Sequence, residues 1–225
     1  MMHRDWIAAL EAEFNRAANA TQAQRMSAYM KNRFPYYGIM ATPRREILYR
    51  FFDRHSILGE EEWRLAVEAM WKLPQREWQY TAQELCLKKK LDWVEDDLGF
   101  FTWMIGEQSW WDTVDFIAPS LAGEFLRKKP ELIPGTIESW MDSGNLWLQR
   151  SALIFQLKYK KATDANLLFA LCAQLAGEKE FFIRKAIGWS LRQYANYNPD
   201  AVKEFVKMHT LSALSAREAL RKLDC

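Results

Sequence analysis

The stretch Trp147-Leu148-Gln149-Arg150-Ser151-Ala152-Leu153 decides the fold, because its pattern returns along the chain at a nearly constant interval. A polar anchor, Arg150, is followed two places on by small Ala152 and three places on by apolar Leu153. One interval earlier stand Asp115, Ile117 and Ala118, and one interval later Arg184, Ala186 and Ile187. Further out come Tyr80 with Ala82 and Gln83, Arg45 with Ile47 and Leu48, and Arg217 with Ala219 and Leu220. Successive anchors are 35, 35, 35, 34 and 33 residues apart. A polar residue beside a buried pair at this period signals two-helix repeats that bury their apolar faces on one another.

The Trp–Leu–Gly pattern of tetratricopeptide repeats and the Thr-Pro-Leu-His turn of ankyrin repeats are both missing, which leaves HEAT-like repeats. Apolar residues spaced three and four apart predict about a dozen helices joined by short turns. Trp6, Leu10 and Phe14 form one such stripe, interrupted by polar Glu13. Thr42-Pro43 followed by Glu46 predicts a cap, a first-turn proline and an early acid opening a helix. Lys129-Pro130 and Asn198-Pro199 predict breaks. The expected fold is all-α: stacked antiparallel helix pairs in a curved HEAT-like solenoid with a concave groove, spanning 1–225 as a single domain.

Composition agrees. With 225 residues, 49% of them hydrophobic, the chain has material for a sizeable core. Nine glycines and seven prolines are too few for a many-turned β-fold. No apolar run is long enough for a membrane span, and Met1–Phe14 reads as an amphipathic helix rather than a signal peptide. Cys86, Cys172 and Cys225 are odd in number and far apart, so free thiols in a reducing cytoplasm are expected. His3, His55 and His209 are scattered, and no metal-ligand spacing occurs. Neither a metal nor a cofactor is expected.

The net charge of +2 conceals an asymmetry. Residues 1–59 carry nine Lys/Arg against five Asp/Glu, and 145–225 carry thirteen against seven. Residues 60–115 carry six against thirteen. Basic ends around an acidic middle suit a polyanion held from both ends, or an ordinary mixed-charge surface. If the anchors share a concave face, Arg45, Tyr80, Asp115, Arg150, Arg184 and Arg217 form a line of mostly cationic side chains that can follow a phosphate backbone. Alternatively they bond neighbouring turns within the stack.

Several stretches are candidates for chemistry. In Ser109-Trp110-Trp111-Asp112-Thr113-Val114-Asp115, Ser109 is a possible helix cap, and Trp111 and Asp115 are four apart and share a helical face. An indole beside a carboxylate suits stabilisation of a positive charge. The bland alternative is a core tryptophan beside a solvated acid. Arg150 follows Asp115 by one repeat, which permits either a shared groove or an intramolecular pair. Lys185, Trp189 and Arg192 share a face of the next repeat. Helical geometry turns Trp189 about 140° from Arg184, off the anchor line. Tyr29 stands near basic Lys31 and Arg33. No glycine-rich phosphate loop, nucleophile elbow or Cys–His pair is present.

The runs Tyr29-Met30-Lys31-Asn32, Ser109–Asp115, Trp147–Arg150, Phe155-Gln156-Leu157-Lys158-Tyr159-Lys160 and Lys185-Ala186-Ile187-Gly188-Trp189 resemble those of AlkD-type DNA alkylation repair enzymes, in the same order. The resemblance implies a HEAT-like helical fold and a DNA glycosylase that removes purines alkylated at N3 or N7 without a base-flipping pocket. It implies that Asp115 is the catalytic carboxylate and that Trp111 and Trp189 contact the sugar. Arg150 and Tyr29 are implied as DNA contacts, with Lys158, Lys185 and Arg192 completing the expected DNA-binding set. Relatives lacking this set include proteins that are not glycosylases; this chain retains it. Set against the resemblance, an end at Cys225 is expected to fall short of the family's length and leaves the last helix open. The expected partner is duplex DNA carrying alkylated purines, bound by a cytoplasmic monomer. The competing readings are a non-catalytic helical scaffold for protein partners, a DNA-structure binder without activity, and a sugar hydrolase using Asp112 and Asp115.

Overall fold

The computed structural model describes every residue except Met1, Ser56, Ile57, Glu60, Lys222, Asp224 and Cys225. The expected thiol of Cys225 therefore lies outside the described residues. Among the described residues the regular structure is entirely helical, as the period predicts. No helix among them is long and apolar enough to cross a membrane. The chain divides into two compact units, Met1–Val94 and Glu95–Cys225.

The first unit contains α1 (His3–Ala17), α2 (Ala20–Tyr29), α3 (Ala41–Arg54), α4 (Glu62–Trp71) and α5 (Glu77–Lys88). The stripe Trp6, Leu10, Phe14 is fully buried, because three- and four-residue steps return to one face of α1. Trp6 meets Phe51 edge-on at 5.0 Å, and Phe14 meets Trp78 at 5.0 Å. The extended 34–40 segment is held by buried Glu77, which accepts the amide hydrogens of Tyr37, Gly38 and Ile39 at 2.9–3.1 Å. Burial pushes the Glu77 carboxyl up, against the pull of those amides. Gly38 has a φ of +87°, and a Cβ there would meet the carbonyl oxygen of Asn19 at 2.1 Å. Only glycine fits both conditions.

The second unit contains α6 (Asp97–Gly106), α7 (Trp111–Ile117), α8 (Gly123–Lys128), α9 (Ile133–Asp142), α10 (Leu146–Ile154), α11 (Ala165–Gln174), α12 (Phe181–Ala195), α13 (Pro199–Met208) and α14 (Ala213–Leu220). α10 packs against α6, α7, α9, α11 and α12. The anchors fall in the first or second turn of α3, α5, α7, α10, α12 and α14, one per repeat. That is why their interval is so steady.

Both expected breaks are present. Pro130 opens a short 3₁₀ turn (Pro130–Leu132), and Asn198 caps α13 by accepting the amide of Ala201. Two expected caps are not. α3 starts at Ala41 with Met40 at its cap, so Thr42 lies inside the first turn, where Pro43 is still tolerated. Ser109 donates its hydroxyl back to the Ile105 carbonyl at 2.6 Å, and Trp110 takes the cap position of α7. The end of α6 is close enough to take the serine first.

Candidate active site

α7 carries Trp111, Asp112 and Asp115 within two turns, and then changes pitch. Residues Ala118–Ala122 form a π-helical turn, with the Gly123 amide bonded five residues back to the Ala118 carbonyl. Pro119 supplies the physical reason. It has no amide hydrogen to return to the carbonyl of Asp115 four residues earlier, so the α-helical ladder is interrupted directly behind that residue. Gly123 restarts the helix against the next repeat: a Cβ there would meet the Phe155 carbonyl oxygen at 2.2 Å. Tyr159 donates its hydroxyl to the Gly123 carbonyl at 2.7 Å. The segment bearing Asp115 is thus fixed at its back by α10 and the 3₁₀ turn that follows it, Phe155–Lys158.

Asp115 faces Arg150 in a two-pronged pair. Nε of Arg150 donates to Oδ1 at 2.8 Å and Nη2 donates to Oδ2 at 2.7 Å. Nη1 donates to the backbone carbonyl of Phe182 in α12. One guanidinium therefore joins three successive repeat helices, α7, α10 and α12. Its side chain is only 5% exposed and that of Asp115 20%, so the pair is largely withdrawn from water while the carboxylate keeps an open side. Burial pushes the Asp115 carboxyl above the usual carboxylate value; Arg150 pulls it down, and the neighbouring Asp112 adds a smaller push upward. A carboxylate has about four acceptor positions, of which Arg150 fills two. The others remain for water or a developing cation.

Aromatic rings pack beside this pair. Trp110, Trp147 and Phe182 come from the starts of α7, α10 and α12, with centroids 5.6, 5.1 and 5.0 Å apart. The Arg150 guanidinium lies 5.9 Å from the Phe182 ring centre. This cluster was not assigned from sequence. Its signal was available: Trp147 and Phe182 each occupy the second position of a repeat helix.

The other expected site residues are distributed as follows. Trp111 is half-buried on α7 and Trp189 half-buried on α12. Lys158 is exposed at the end of the turn Phe155–Lys158 and donates to Ser120 Oγ at 2.8 Å, inside the π-turn. Lys185 and Arg192 both pair with Glu218 of α14, Lys185 Nζ at 3.0 Å from Oε1 and Arg192 Nη1 with Oε2. Lys185, assisted by Arg192, holds the Glu218 carboxyl below the usual range against the opposing effect of burial. In the first unit, Tyr29 is 74% exposed at the end of α2. Lys31 and Asn32 follow it with φ of 56° and 57°.

The anchor residues bond within the stack more than sequence alone requires. Arg45 Nε donates to Glu84 at 2.8 Å, beside buried Arg44 on the same oxygen. Arg184 Nε donates to the Glu178 carbonyl at 2.8 Å. Arg150 forms the intramolecular pair that its spacing from Asp115 permitted, which makes it a positioning group for Asp115. Arg217 remains exposed.

A family model described as DNA alkylation repair enzyme matches residues 10–223. The chain belongs to the DNA alkylation repair enzyme family. A solved structure titled as a predicted DNA alkylation repair enzyme from Enterococcus faecalis is 32% identical, with a TM-score of 0.85 over 92% of this chain and 96% of that one. AlkD2 from Streptococcus mutans is 19% identical, with a TM-score of 0.63 over 90% of this chain and 100% of that one. The structure of smu.31 from Streptococcus mutans UA159 is also 19% identical, with a TM-score of 0.61 over 79% and 92%. The last two establish likeness of fold alone. No curated protein matches the chain. Membership in the DNA alkylation repair family implies DNA binding.

Proposed function

We propose that this family member is a DNA glycosylase that hydrolyses the N-glycosidic bond of purines alkylated at N3 or N7 in duplex DNA, with residues 1–225 acting as one repair domain. The observation that carries this reading is the Asp115 carboxylate of α7, held in a two-pronged pair by Arg150 of α10, still 20% exposed, and carried on the same helix as Trp111. Such alkylation makes the base cationic and a good leaving group, so no general acid is required. The glycosidic electron pair leaves with the base, which becomes neutral. Positive charge then develops on the deoxyribose. Asp115 stabilises it and directs water to the anomeric carbon, taking up the proton that water loses. Trp111 and Trp189 flank the sugar, each contributing about 0.5–2 kcal/mol of cation–π attraction. Arg150 lowers the carboxylate's net field but holds its geometry. Tyr29, Arg150, Lys158, Lys185 and Arg192 contact the DNA.

No base-flipping pocket is required, because the lability of the cationic nucleotide replaces recognition of an extruded base. The test is a panel of duplexes carrying one N7-methylguanine, N3-methyladenine, uracil or hypoxanthine each. Release of the two cationic bases and not of the neutral ones is expected. Release of uracil or hypoxanthine, or no release of any base, overturns the reading.

A further inference from the structure

Two of the three cations of α12, Lys185 and Arg192, are bridged by a carboxylate that the proposed reaction does not use. Lys185 and Arg192 lie two turns apart, about 10 Å along the axis, and Glu218 of α14 lies between them with one oxygen on each. Its side chain is 12% exposed, and the Lys185 side chain still 36% exposed. Arg192 Nη1 also donates to the Glu218 carbonyl at 3.3 Å. The seat of α14 is closely fitted. A Cβ on Gly188 would meet Cβ of Glu218 at 2.5 Å and the Ser215 carbonyl oxygen at 2.9 Å. Ser215 Oγ donates to the Arg184 carbonyl at 3.0 Å. The Glu218 carboxylate is therefore anchored from both sides and does not swing away freely.

Glycine at 188 also fixes its orientation. On an ideal helix Lys185, Gly188 and Arg192 lie within about 60° of one another, the arc covered by α14. Trp189 stands about 40° beyond Lys185, at the edge of that arc. The countercharge is thus applied to the cations next to a proposed sugar contact.

We infer that Glu218 restrains DNA binding: it acts as a built-in competitor for the phosphates that Lys185 and Arg192 would otherwise engage. This rests on the reading of that helix face as DNA-binding. A carboxylate shared by two cations reduces their combined charge by half and occupies donors that a phosphate would take. Each phosphate neutralised by a free cation releases counterions and steepens the dependence of log affinity on log salt by about 0.9. Freeing both cations gives up to twice that.

The test is binding of an undamaged duplex by the full chain across a salt series, for the wild type, Glu218→Gln, Lys185→Gln/Arg192→Gln and the triple variant. Glu218→Gln keeps the shape of the side chain, and Glu218→Ala provides a second variant without its amide. Both are expected to bind at least threefold more tightly at low salt, with a log–log slope steeper by one to two units. In the background lacking Lys185 and Arg192, the gain is expected to disappear. Weaker or unchanged binding by both Glu218 variants overturns the inference and makes Glu218 a mere brace for α14. A gain that persists without the two cations overturns it too, since it reflects general charge alone. If the wild type binds no duplex even at low salt, the DNA reading of this face is what fails, and the inference with it.

Discussion

Arg150 shows at residue scale how this fold holds the proposed catalytic carboxylate. It is buried because its three donating nitrogens have fixed acceptors: two Asp115 oxygens and the Phe182 carbonyl. Removing it leaves Asp115 withdrawn from water beside Asp112. Breaking such a pair from one side costs about 3 kcal/mol at this degree of exposure. Arg150→Met is expected to lower Tm by about 6–12 °C for a chain of this size, and Asp115→Asn in the same chain to recover part of that loss. Calorimetry of the two variants checks it. The raised Asp115 value has a kinetic consequence as well. In the proposed reaction the working form is the anion, so the excision rate is expected to fall as pH drops through a value above the ordinary 3.8. Single-turnover rates against pH are expected to show this acid limb, and Asp115→Asn to lack it. The histidines are otherwise engaged, His3 with Glu62 and His55 and His209 stacked on Phe51 and Phe205. Cys172 is pushed up to about 12 by burial and is not a nucleophile.

At the scale of elements, the steady interval was legible because one anchor sits near the start of each repeat helix. The same register made the Asp115–Arg150 pair readable as one of two possibilities. Trp189 was not readable from periodicity. It lies off the anchor line, and only the resemblance singled it out. The pitch change at Pro119 is not legible from apolar spacing, because the helix continues through a π-turn there and keeps its buried face. Glu218 was missed because its pairing depends on how α14 lies across α12, which no local spacing encodes. That packing is testable through Gly188. Gly188→Ala places a methyl group where Glu218 Cβ and the Ser215 carbonyl already stand. A loss of about 1–3 kcal/mol is expected, with α14 released to proteolysis at 209–213 while the core of the second unit stays protected. Unchanged protection would show that α14 shifts to accommodate the methyl group.

For the whole molecule, the fold class followed from period and composition, and the family from five short runs in order. The basic ends were visible in the sequence, but the pairing of their charges was not. Arg45 with Glu84, Arg150 with Asp115, and Lys185 and Arg192 with Glu218 leave fewer free cations than the count of Lys and Arg suggests. Binding to undamaged duplex is accordingly expected to have a modest salt slope, shallower than about −5, as for fewer than six phosphates. A titration from low to high salt measures it, and a steeper slope would show that DNA dissolves these internal pairs. The proposed role of Asp115 as the group that carries the chemistry is open to direct measurement. It is tested most directly by release of N7-methylguanine from alkylated duplex DNA, compared between the wild type and Asp115→Asn at saturating protein. Release by the wild type is expected, with a rate lower by about 10²–10³ in the variant. Equal rates would contradict it.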